Sequence, residues 1–237
     1  MSLTVDQSVN ARTVILQSIR RHLAQSVVHN TGVTPTTVSP DTYSEHGKKS
    51  LAIEAGVEMF CQKIEWVGGH CTVVKGETEG GQALNRIIAG LASSLQRAPR
   101  IALSDAPPVS RMARAVEVGE ITTSPSADDL FAYDVGITTA QAAIAETGTL
   151  VLESDKERHR LVSLLPPVHI ALVEAGNVCA TLGDALKLVR RNGSEMSRAI
   201  TFITGPSRTA DIELTLTIGV HGPKELHVIV IKGMELL

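Results

Sequence analysis

Three short stretches hold most of the residues whose types and spacing could do chemistry. One is Thr204-Gly-Pro-Ser-Arg-Thr-Ala-Asp-Ile-Glu213. Gly205 and Pro206 turn the chain there, and Ser207, Arg208 and Thr209 offer the donors an anion needs, with a guanidinium able to grip a carboxylate or phosphate through two bonds. Asp211 and Glu213 add acceptors two residues apart, or complement the dipole of a helix that starts at this point. A second stretch, Gly136-Ile-Thr-Thr-Ala-Gln-Ala-Ala-Ile-Ala-Glu-Thr-Gly-Thr149, reads as a strand end, a short Ala-rich helix capped by Thr138 or Thr139, and a turn into the next strand. Glu146, Thr147, Gly148 and Thr149 put a carboxylate, two hydroxyls and a flexible glycine into that turn, where a ligand or a neighbouring segment can approach closely. The third is Gly219-Val-His-Gly-Pro223, whose His221 could serve as acid, base or ligand, or only as a hydrogen-bonding turn residue. His169 lies inside an apolar run and reads as a core histidine.

Strands and helices must alternate to position these stretches. Apolar runs with strand character fall at Cys71–Lys75, Ile101–Leu103, Asp134–Ile137, Thr149–Leu152, Val168–Val173, Ala199–Ile203 and Leu226–Ile231. Most are short and lack polar alternation, as strands buried on both faces do. Leu84, Ile87, Ile88, Leu91 and Leu95 mark a helix, and Thr181 with Asp184 three residues on is a helix start ahead of Leu186 and Val189. Ahead of these, Ile15, Ile19 and Leu23 predict a helix over 9–28, Thr31–Ser44 a linker or extended strand, and Leu51, Ala55 and Met59 a second helix. Residues 1–62 thus read as a helical cap and linker, and 63–237 as an α/β domain of the same unit. The expected architecture is a three-layer α/β/α sandwich around a mostly parallel sheet. Ligands in such folds gather at the carboxyl ends of strands.

The 237 residues are 43% apolar, 20% charged and 3% aromatic, the composition of an ordinary folded domain whose core is aliphatic. A formal charge of −3 without a basic run argues against nucleic-acid binding. No signal peptide or long apolar span is apparent, which predicts a soluble cytoplasmic protein. The three cysteines, Cys61, Cys71 and Cys179, are scattered and read as inert thiols rather than as a disulfide framework or a metal site. No dinucleotide fingerprint, phosphate loop, zinc-protease or nucleophile-elbow motif occurs.

Five ordered blocks carry a resemblance. Gly136-Ile-Thr-Thr-Ala140, Ala145-Glu-Thr-Gly-Thr-Leu150, Arg160-Leu-Val-Ser-Leu-Leu-Pro-Pro-Val-His-Ile170, Gly205-Pro-Ser-Arg-Thr-Ala-Asp-Ile-Glu213 and Gly219-Val-His-Gly-Pro223 resemble the lactate-utilisation (LUD) family, its short branch in particular. The resemblance implies the fold of glucosamine-phosphate deaminases, ribose-phosphate isomerases and coenzyme A transferases. It also implies a part in oxidising L-lactate to pyruvate beside iron–sulfur partner proteins, with no cofactor or metal in this chain. Kinship with coenzyme A transferases, which use a glutamate nucleophile, draws attention to Glu146, although fold kinship does not transfer chemistry. The resulting expectation is that Glu146, Arg208 and His221 converge on one pocket for a small carboxylate, acyl group or phosphate. An independent acyl transferase or sugar-phosphate isomerase, and a purely structural module, are the alternatives.

Overall fold

The computed structural model describes residues 13, 14, 16–18, 50–123, 125, 126, 129–154, 160–191, 197–210, 216–218 and 222–233. The chain divides into two units, Met1–Gly47 and Lys48–Leu237. In the first, residues 13, 14 and 16–18 are helical, within the helix expected over 9–28, and the expected linker lies outside the described residues.

The second unit is built on a six-stranded sheet ordered β1 (His70–Val74), β12 (Glu225–Ile231), β7 (Val168–Glu174), β4 (Val135–Thr139), β2 (Arg100–Leu103) and β3 (Glu120–Thr123). Every pairing in it is parallel. The long apolar runs become the central strands β7 and β12, which are buried on both faces. One face is covered by α2 (Glu77–Leu95) and α3 (Pro107–Ala113), whose Leu84, Ile88, Val109 and Met112 meet Ile101, Ile137, Ile170 and Ile229.

Against the other face lie α1 (Ser50–Trp66) and a second sheet ordered β8 (Val178–Cys179), β5 (Ala142–Ile144), β6 (Thr149–Glu153) and β9 (Ile200–Ile203). In this layer Phe60, Ile64, Leu150 and Leu152 meet Ala171, Val173, Val228 and Val230. Phe60 and Ile64 are fully buried, each contributing about 1.5–3 kcal/mol of apolar burial. Outside the second sheet, α4 (Leu182–Arg191) sets Ala185 and Val189 on Ala142, Ile144 and Val151. β10 (Arg208–Ala210) and β11 (Leu216–Ile218) form a separate antiparallel pair.

Two local expectations are corrected. The Ala-rich run after β4 is no helix: Ala142–Ile144 is strand β5, paired antiparallel with β6 through the 145–148 turn. Alanine favours helix intrinsically, but Ala142, Ala143 and Ile144 are sandwiched between two core clusters, where a strand of small side chains fits and a helix would not. In α1 the buried row is Val57, Phe60 and Ile64, while Ala55 and Met59 of the expected stripe face solvent. The two rows differ by only part of a turn, and the one holding the aromatic residue buries more area.

The cysteines also depart from expectation. Cys61 near the end of α1 and Cys71 in the edge strand β1 form a disulfide across ten residues. The pair forms because α1 reverses at Gly68 and Gly69 to lie beside the strand it feeds. Cys179 remains a thiol, pushed up to about 11 by burial and then by Asp184. α4 begins as expected, with Thr181 Oγ1 accepting from the Asp184 amide at 3.3 Å and donating to the Asp184 carboxylate at 2.8 Å. No helix among the described residues is long and apolar enough to cross a membrane.

Candidate functional site

Between the two sheets lies a cavity of about 230 Å³. Its floor is His169 and Leu226, the second residues of β7 and β12, and one wall is Thr201, Phe202 and Ile203 of β9. Ser163 and Leu164 enter from the segment before β7, Gly222 and Pro223 from the segment before β12, and Thr204, Gly205 and Ser207 from the loop leaving β9. The cavity therefore sits at the amino ends of β7 and β12, opposite to the carboxyl ends where the general rule for open parallel sheets looks first.

Local backbone geometry explains how these segments meet. Gly205 has φ +83°, and a Cβ there would lie 2.9 Å from the Val67 carbonyl oxygen, so the loop can pass under the end of α1 only with glycine. The Ser207 amide donates to the Pro223 carbonyl at 2.8 Å, which joins the loop after β9 to the segment before β12. On the far side, Thr147 Oγ1 and Thr149 Oγ1 are 2.7 Å apart, and Thr149 Oγ1 and Thr204 Oγ1 also 2.7 Å. This relay of hydroxyls ties the 145–148 turn to the cavity wall. Gly148 in that turn has φ +66°, and its missing Cβ would sit 2.7 Å from the backbone at Lys63 and Ile64. Both signature turns therefore seat on the last turn of α1.

His169 is fully buried. Its Nε2 lies 2.9 Å from Thr138 Oγ1, and its Nδ1, sealed from solvent, has no partner among the described residues. Burial pushes the imidazole pKa down to about 3, so the ring is neutral at physiological pH. The reading of His169 as a satisfied core histidine is half right: one nitrogen is satisfied and the other is not.

The charged residues expected here do other work. Glu146 Oε1 accepts from the Leu182 amide at 3.0 Å, where it complements the first turn of α4. Arg208 donates from its guanidinium to the Val67 carbonyl just past the end of α1, a place where a cation offsets the helix dipole. Neither lines the cavity. Thr139 accepts from Gln141 Nε2 at 3.2 Å, and Gln141 Oε1 accepts from the Glu153 amide at 2.7 Å. Thr209 pairs with Thr217 in β10 and β11. Asp211, Glu213 and His221 lie outside the described residues.

Sequence reasoning brought Gly205 and Ser207 to the cavity and Thr138, Thr147 and Thr149 to its supports. It passed over Ser163, His169, Thr201 and Thr204 as site residues. For His169 and Thr201 the available signal was a polar residue interrupting an otherwise apolar strand, which is costly to bury without a purpose; Ser163 and Thr204 lie outside the strands and carry no such signal. Among the described residues no group of three or more His, Cys, Asp or Glu side chains could hold a metal.

Fold and site together define an α/β protein with a parallel central sheet and a small inter-sheet cavity of neutral donors. The sequence pattern of the LUD domain matches residues 57–231, and the chain belongs to the LUD domain family. It is 44% identical over 93 residues to lactate utilization protein C of Bacillus subtilis, a match covering 38% of this chain and 39% of that protein. Lactate utilization protein C of Bacillus licheniformis is 37% identical over 102 residues, 42% of each chain. An uncharacterized protein of Neisseria meningitidis serogroup B is 35% identical over 156 residues, 65% of this chain and 64% of that one. The matches to the two lactate utilization proteins thus span only about two fifths of those relatives' length. The crystal structure of a DUF162 family protein from Deinococcus radiodurans shares the fold, with a TM-score of 0.52 and 23% identity over 76% of this chain and 98% of that one.

Proposed function

We propose that the chain is a non-redox component of an L-lactate utilisation system, that it binds a small anionic ligand in the inter-sheet cavity, and that iron–sulfur partner proteins carry the electrons. The observation that carries the reading is convergence. All five blocks of the family resemblance supply a wall or a support of the one cavity: Thr138 holds His169, Thr149 holds Thr204, and Ser163, Gly205, Ser207, Gly222 and Pro223 line it. Blocks separated by tens of residues meet in this way when a site requires it, and relatives named for lactate utilization supply the context. The rival reading, an acyl transferase with Glu146 as nucleophile, gains less support because that carboxylate is engaged at the start of α4.

The test fills the cavity. Ser207→Leu, expressed in place of the native chain, should abolish growth on L-lactate while growth on glucose stays normal and the protein remains soluble. Normal growth on lactate would sink the reading. Affinity purification of the full chain from lactate-grown cells should bring down iron–sulfur proteins, recognised by their visible absorbance; their absence would remove the partner half of the proposal.

A further inference from the structure

We infer that the Cys61–Cys71 disulfide is a reversible redox site, opened by thiol–disulfide exchange on the folded chain, and that the acidic groove over it favours a cationic thiol over an anionic one. The site is separate from the inter-sheet cavity and stands or falls independently of the function proposed above. The first argument is access. Cys61 lines a groove of about 430 Å³ between α1 and the edge strand β1, and both bonded cysteines are only half-buried. Among the described residues β1 pairs on one side alone, with β12, so no further strand covers its outer edge. Disulfides that external thiols can reach are the labile and regulatory ones, in contrast to those sealed inside a core.

The second argument is charge. Glu54, Glu58, Cys61 and Glu65 follow one another at helical spacing, and all four line the groove, so three carboxylates share the face of α1 that carries the sulfur. Lys232 offsets one of them, its Nζ 3.4 Å from Glu54 Oε1. Among the described residues no ion pair holds Glu58 or Glu65. The groove is therefore negative beside the bond, which depletes anionic thiolates there and enriches cationic molecules.

The exchange proceeds in two steps. An external thiolate attacks Cys61 Sγ, the Cys61–Cys71 bond breaks, and Cys71 leaves as a thiolate that takes a proton from water. A second external thiolate attacks the external sulfur of the mixed disulfide, releasing Cys61, which is protonated in turn, and one external disulfide. Two electrons thus pass from two thiols to the protein, and an external disulfide reverses the process. The consequence lies in α1. The bond ties this helix to β1 just ahead of Lys63, Ile64 and Val67, the residues on which the Gly148 and Gly205 turns seat. Opening it removes the cross-link but leaves Phe60 and Ile64 in the core, so the end of α1 loosens while the fold persists.

The test treats the oxidised full chain at low salt with cysteamine or with mercaptoethanesulfonate, at equal thiolate concentration, and follows new protein thiols by maleimide mass tagging. Cys61 and Cys71 should become reactive without denaturant, at a rate that small additions of urea do not change. Cysteamine should react about threefold to tenfold faster, and the preference should fade at high salt. Replacing both carboxylates, Glu58→Gln with Glu65→Gln, should narrow it as well. Reduction should lower Tm by about 5–10 °C and speed hydrogen exchange over 60–69 and 145–148, with cystamine restoring both. Cys71→Ser should match the reduced chain under either condition. Thiols that appear only as urea unfolds the chain would make the bond a permanent brace and overturn the redox site. Equal rates with the two thiols overturn the selectivity assigned to the groove, and an unchanged Tm and exchange pattern overturn the consequence for α1. Rates, salt dependence and Tm are read on the unaltered chain, so a variant that fails to fold leaves the test intact.

Discussion

The parallel sheet carries buried polar groups at both of its ends, and the two ends are built differently. At the amino ends of β7 and β12 a cavity opens over His169, with hydroxyls around it and one imidazole nitrogen unused. At the carboxyl end of β4, Thr139, Gln141, Glu153 and Ser197 bond one another in a chain: Gln141 joins Thr139 to the Glu153 amide, and Ser197 donates to Glu153 Oε2 at 2.9 Å. One arrangement borders a cavity; the other holds β6 against its neighbours, and it too leaves a buried atom unpaired, Glu153 Oε1. Buried polarity, even with an unused atom, does not distinguish a binding site from a brace; the space beside it does. The charged residues teach the same lesson, since Glu146 and Arg208 go to helix ends near solvent, where a charge keeps much of its hydration.

This contrast can be broken or sharpened in four ways. The largest effect is expected from Gly148→Val, which forces a β-branched residue to φ +66° and drives a Cβ into the α1 backbone. It should cost about 3 kcal/mol or more in urea unfolding, or leave no folded protein. A loss below about 1 kcal/mol would mean that the turn does not seat on α1 as described. Next, Glu153→Ala should cost about 1–3 kcal/mol by stripping Ser197 of its acceptor, yet leave growth on L-lactate unchanged. Loss of that growth in a folded variant would join the two ends into one site.

The third expectation concerns pH. Folding lowers the pKa of His169 from 6.5 to about 3, so the unfolded chain takes up a proton in that window and the folded chain does not. Stability is therefore full above pH 6.5 and declines as pH falls toward 3, by at most about 1.4 kcal/mol per pH unit from this group. His227, lowered by burial and by stacked His70, adds to the same limb. Chemical denaturation between pH 7 and 5 should show a shallower decline in His169→Gln; an identical slope would mean that the imidazole is not sealed from solvent. Asp134 acts at lower pH. Burial alone would raise its pKa, but Arg97 and the Arg100 amide outweigh that and hold it low, so its contribution is lost only below the ordinary carboxylate range. The smallest effect is expected from Arg208→Ala, about 0.3–1 kcal/mol through the end of α1, with growth on L-lactate retained. Loss of that growth in a folded variant would restore Arg208 as an anion-gripping residue.

Much of this architecture was legible without coordinates. The central strands β7 and β12 announce themselves as unbroken Val/Ile/Leu runs because both their faces are buried, and α2 and the capped start of α4 carry helical spacing and a cap. The second sheet was not legible as a sheet. β6 and β9 read as two more parallel strands, and β5 reads as helix, because periodicity reports how deeply a segment is buried and not which segment it pairs with. The site divided along the same line. Glycines at the two turns stood out from their neighbours in sequence, whereas Thr204 and His169 matter through partners tens of residues away, Thr149 and Thr138.

By itself, then, the sequence determined the aliphatic composition of the core, the alternation of elements, the family-specific blocks and the positions where the chain must turn. Those properties depend on residues close together in the chain. Only the tertiary structure decided that Glu146 and Arg208 serve helix ends, that Ala142–Ile144 is a strand, and that a neutral histidine faces a cavity at the amino ends of the strands. The reason is that the partner of a charge, the face of a strand and the protonation of a buried ring are set by contacts between distant segments, and they come into being when the two sheets close on each other.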